Sequence, residues 1–151
     1  MGAIDTLVNH EFIEALPHRQ AARGEVGLHA VREAIYASLF VALAWLEWNG
    51  AFAAFIGALL AAEVAVTATD EFIENRIRVL PQNERVLHVF LTLNFGAIIA
   101  LLIPVLLDWG AQATSLQKVD HGGTSWALSV LAMMSVAWSV RDLLAFRRLA
   151  A

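Results

Sequence analysis

Histidines and carboxylates recur at the same end of three predicted helices: His29 and Glu33 on the first, Glu63, Asp70 and Glu74 on the second, Glu84 and His88 on the third. Two imidazoles with several carboxylates form a donor set suited to iron, manganese or zinc, and carboxylates can bridge two such ions. A metal pair with open positions can activate oxygen or water. The spacing allows convergence. Glu25, His29 and Glu33 repeat every four residues and so share one helical face, and Tyr36 extends it. Glu63, Asp70 and Glu74 are seven and four apart, with Thr67 on the same stripe. The expected metal ligands are therefore His29, Glu33, Glu63, Asp70, Glu74, Glu84 and His88. Tyr36, Asn94, Arg32 and Asp142 are expected as supporting groups, and no catalytic residue is assigned.

The elements that must position these residues are very apolar. Hydrophobic residues make up 59% of the 151, and mean hydropathy is +0.63. Four apolar stretches stand out, each approaching the roughly 20 residues that a membrane-crossing helix requires. They predict an all-α fold, an integral membrane four-helix bundle forming a single domain, with spans at about 27–49, 51–76, 84–107 and 125–145. The rival is an unusually apolar soluble bundle. Ahead of the first span, residues 1–24 read as an interfacial segment. Ile4, Val8, Phe12 and Leu16 fall at helical spacing with Asp5, Glu11 and Glu14 off the stripe, and Pro17 ends the helix. Trp45, Glu47, Trp48, Asn49 and Gly50 read as an interfacial turn, and residues 108–124 as a polar loop.

Charge sets the expected orientation. Arg19, Arg23, Arg32, Arg76, Arg78, Arg85, Arg141, Arg147 and Arg148 flank the ends that carry the acids, whereas Lys118 alone lies in the opposite loop. Positive charge concentrates on the cytoplasmic side of membrane proteins, so both termini are expected in the cytoplasm and the chain in a bacterial-type inner membrane. The start shows neither a basic n-region nor a cleavable apolar core, so no signal peptide is expected. The sequence contains no cysteine, which removes thiolate metal sites, iron–sulfur clusters and cysteine nucleophiles together.

Depth ties the candidates to one another. With a rise of about 1.5 Å per residue, Glu33, Glu63 and Asn94 lie about 20 to 25 Å from the far side, and His29, Asp70 and His88 about 30 Å. Glu25, Glu74 and Glu84 form a third layer about 35 Å out. Buried acids at one level imply a shared positive partner. The arrangement resembles the carboxylate-bridged di-iron proteins of the ferritin-like class, which also place ligands on facing helices of a four-helix bundle. It departs from them in spacing, since they use Glu-x-x-His and this chain has His29-x-x-x-Glu33 and Glu84-x-x-x-His88. The resemblance therefore implies the chemistry and not membership of the family. The repeated histidine boxes of the membrane desaturases and hydroxylases are absent.

Three functions fit these residues. One is a metal-dependent membrane oxidoreductase acting on a lipid or quinone that reaches the site from the bilayer. A second is a b-type haem electron carrier with His29 and His88 as axial ligands, which leaves the acids without a role. The third is a small accessory subunit without cofactor, docking on a membrane-complex partner or on another copy of itself. In that reading Arg32, Arg76, Arg78 and Arg85 neutralise the acids, and each His and Glu four apart is a helix-surface pair. No phosphate-binding glycine loop, nucleophile elbow or basic groove is present, and net charge is −4, which argues against ATP hydrolysis, acyl transfer and nucleic-acid binding.

Overall fold

The computed structural model describes residues 15–77 and 79–150. Within them lie four long helices, α1 (Arg23–Trp45), α2 (Ala53–Ile77), α3 (Gln82–Gly110) and α4 (Gly123–Arg148), and two short strands, β1 (Leu46–Asn49) and β2 (Ser115–Lys118). All four helices are long and apolar enough to cross a membrane. The body of the expected N-terminal interfacial helix, through position 14, lies outside the described residues. Its end is described: Leu16–His18 forms a single 3-10 turn with Pro17 inside it.

The distribution of polarity is inverted relative to a water-soluble bundle. Glu25 and Glu84 are 0% exposed and Glu63 1%, whereas Leu101 is 74% and Phe72 71% exposed. In water such an outer surface would be an extensive apolar patch. In hydrocarbon it is the expected one, because the bilayer solvates apolar side chains and drives ionisable ones inward. α3 carries this furthest: no residue of its most apolar window is buried. Pro104 sits inside it, as transmembrane helices tolerate.

α1 is the central element. It packs most extensively on α4, its most distant helix in sequence, and also on α2. The α1–α4 seam is built from small residues one heptad apart. Ala30, Ala37 and Ala44 of α1 are buried, as are Ser125 and Ala132 of α4. Small side chains let antiparallel backbones approach closely enough for hydroxyls to reach across. The Ser125 hydroxyl donates to the Ala44 carbonyl at 2.5 Å, and the Ser139 hydroxyl to the Ala30 carbonyl at 2.7 Å. One heptad further on, Arg23 donates to the Phe146 carbonyl at 3.4 Å and lays its guanidinium over that ring. Gly27 faces the same phenyl ring, where a Cβ would collide with it.

On its other side α1 builds an apolar core with α2 and α3. Ile35, Leu39 and Ala42 pack with Ile56 and Leu60, and Phe95, Ile99, Leu102, Leu106 and Trp109 cover them. The short turn at Leu80 and Pro81 makes α2 and α3 antiparallel neighbours. Pro81 precedes the first turn of α3, which has no side-chain cap, and Asn83 lies inside the helix.

At the end away from the acids the sequence reading is corrected. Most of the segment read as an interfacial turn is strand β1, and the stretch read as a polar loop contains β2. They pair antiparallel, Leu46 opposite Lys118 and Asn49 opposite Ser115. The first span therefore stops at Trp45, four residues earlier than expected. Gly50 makes the ribbon close. It has φ of 61°, and a Cβ there would overlap Thr114, whose hydroxyl accepts the Ala51 amide at 3.1 Å. Both the left-handed backbone and the close approach favour glycine.

Candidate metal centre

The facing stripes of α1 and α2 bring the ionisable residues together in two tiers. The deeper tier is organised by a cation from the chain itself. Arg32 places Nε 3.3 Å from Glu63 Oε1 and Nη2 2.9 Å from Asp70 Oδ2. Thr67 donates its hydroxyl to Glu63 Oε1 at 3.1 Å, one helical turn away, and the Tyr36 hydroxyl bonds to the same carboxylate. Tyr36 is fixed by aromatic neighbours, stacking on Phe40 at 5.8 Å and meeting Phe95 edge-on at 6.0 Å. The positive group that Glu63 and Asp70 require is therefore a guanidinium. Arg32, expected in a supporting role, stands between them.

The outer tier has the geometry of a ligand set. Donor atoms of Glu25, His29 and Glu74 all lie within 4.8 Å of one another, and so do those of Glu71, Glu74 and His88. The two groups share Glu74. His88 Nδ1 is 3.5 Å from Glu74 Oε2 and 3.7 Å from Glu71 Oε2. Glu25, His29 and Glu74 are buried, and the Glu71 side chain is 57% exposed, so the assembly runs from the interior to the surface. Three helices contribute: α1 supplies Glu25 and His29, α2 supplies Glu71 and Glu74, and α3 supplies His88. Glu84 is buried on the turn of α3 before His88.

His29 joins the tiers. Its Nε2 lies 3.3 Å from Asp70 Oδ2, the oxygen that Arg32 also contacts. A carboxylate behind an imidazole fixes the orientation and tautomer of a metal-binding histidine.

The remaining expected residues sit elsewhere. Glu33 shares the turn of Arg32 but faces α4, where it hydrogen-bonds Ser135 and lies near Asp142. Asp142 is buried and paired with the adjacent Arg141. These residues form a separate polar contact across the α1–α4 seam. Asn94, counted to the level of Glu63, is exposed on the outer side of α3. His121 is also exposed, at the ribbon end.

Two members of the outer tier escape the expected ligand list. Glu25 is placed at the right depth by sequence without being assigned as a ligand. Glu71 is held by Asn75, whose side-chain amide donates to Glu71 Oε1 at 3.0 Å and to its carbonyl at 2.7 Å. The other carboxylate oxygen faces His88. The available signals were Glu25-x-x-x-His29 and Glu71-x-x-Glu74, each one helical turn apart.

Comparison with known proteins yields no match to a family model, to a curated protein or to a solved structure.

Proposed function

We propose that this chain is an integral membrane metalloprotein whose outer tier holds a pair of cations bridged by Glu74. In this reading it acts as an oxidoreductase on a lipid or quinone-like substrate. The observation that carries the proposal is the sharing of Glu74 between two groups of carboxylate and imidazole donors drawn from three helices. A bridging carboxylate with an imidazole on either side matches iron, manganese or zinc, whose borderline character accepts nitrogen and oxygen together. The burial of Glu25 and Glu74 supports it further, because two buried carboxylates this close cannot both ionise without a positive partner.

His29 with Glu25 would hold one ion and His88 with Glu71 the other, leaving positions for substrate or oxygen. Asp70, Arg32 and Glu63 form the fixed support behind His29. The inverted polarity supports placement in a bilayer, and the arginines at the cluster end support a cytoplasmic orientation for it.

The test is purification in detergent, followed by plasma mass spectrometry and a visible spectrum. About two iron, manganese or zinc ions per chain are expected, as in other carboxylate-bridged pairs. A Soret band would assign His29 and His88 to haem instead. A folded, colourless protein that takes up none of these metals on titration would leave the accessory-subunit reading, in which Arg32 is the principal counter-charge.

A further inference from the structure

The outer side of α3 carries a site of a different kind. Leu80, Gln82, Arg85, Val86, Val89 and Phe90 line an open groove of about 610 Å³ beside the α2–α3 turn, within the range of small-molecule sites, about 300–1,000 Å³. Its polarity is graded along the helix. Gln82 and Arg85 occupy the end nearest the turn, and Val86, Val89 and Phe90 continue as an exposed apolar wall toward Leu93. Arg85 Nη2 donates to the Leu80 carbonyl at 3.3 Å, which holds the guanidinium at the groove's mouth. Among the described residues no acid lines the groove.

From Gln82 to Phe90 the trough runs about 12 Å along the axis. A cationic mouth above an apolar trough complements an amphiphile with an anionic head and a hydrocarbon tail. We propose that this groove binds one anionic phospholipid, its phosphate on Arg85 and one acyl chain along Val86, Val89 and Phe90. A zwitterionic lipid gains less, because its own cationic group lies beside Arg85. The site rests on the membrane placement proposed above and is independent of the metal pair.

The experiment is native mass spectrometry of the full chain released from nanodiscs containing equal phosphatidylglycerol and phosphatidylcholine. One retained phosphatidylglycerol is expected, preferred about fivefold over phosphatidylcholine, the ratio equivalent to about 1 kcal/mol for one basic side chain at the surface. Arg85→Gln should remove the preference and Arg85→Lys should keep it. Val86→Trp, which fills the trough, should lower total lipid retention, and Arg147→Gln should change nothing. Equal retention of the two lipids by the unaltered chain, or equal loss of preference in Arg85→Gln and Arg147→Gln, would overturn the site while leaving the membrane placement intact. A chain that remains monodisperse without detergent and does not float with vesicles would overturn both.

Discussion

Asp70 stands 3.3 Å from the Nε2 of His29, so the imidazole is gripped from behind by a carboxylate that Arg32 itself steadies at 2.9 Å. The ionic pair and the candidate ligand set are thus one assembly, and changes in the deeper tier should be felt in the outer one.

Asp70→Asn should lower metal affinity about 10- to 100-fold, the usual effect of removing a group that orients a ligand, while the chain still folds. Titration of the metal-stripped protein in detergent measures it. An unchanged affinity would remove Asp70 from the metal centre.

Glu74→Gln should release both ions, since Glu74 belongs to both ligand groups. Glu25→Gln and His88→Ala should each release about one ion of the proposed pair, and exposed His121→Ala none. The metal-to-protein ratio of the purified variants distinguishes these outcomes. Equal retention in all four would mean that the shared carboxylate is not a bridge.

Arg32→Met should destabilise the fold by about 3–5 kcal/mol, because it strips the cation from two buried carboxylates. Adding Glu63→Gln and Asp70→Asn to that variant should restore much of the loss by removing the stranded charges. Thermal unfolding in detergent reads both effects.

Ala37→Leu or Ala132→Leu should force α1 and α4 apart and cost about 1–3 kcal/mol, as overpacking of a close seam does. Ala97→Leu, on the exposed side of α3, should be nearly silent. Gly50→Ala should weaken the ribbon, because alanine there is both left-handed and in collision with Thr114.

The sequence carries the axial coordinate of this protein well and the angular one poorly. Composition and hydropathy reveal four long apolar helices, and counting along their axes puts His29 level with Asp70, which it meets at 3.3 Å, whereas His88, counted to the same level, meets Glu71 and Glu74 instead. Rotation about each axis depends on which neighbour a helix meets, and that is decided by packing. Asn94 and Glu33 are counted to the same level as Glu63, yet one faces outward and the other faces Ser135. Arg32 shows the complementary error. Burial of Glu63 and Asp70 implies a positive partner, but one on the neighbouring helix answers that need as well as a metal does. Strands β1 and β2 were illegible because four residues are too few for alternation to register, and their pairing joins segments far apart in the chain.

The seam between Ala44 and Ser125 has a consequence for how the molecule is made. Of the four long helices α1 precedes the other three in the chain, but α4, the helix that packs on it most extensively, follows them all. Until α4 follows, the alanine-lined face of α1 is an open contact, while α2 and α3 can already associate through their short turn. Closing the α1–α4 seam is therefore the capture of the first of these four helices by the fourth. A chain ended before Gly123 would keep every residue of its ionic tiers and lose its most extensive helix pair.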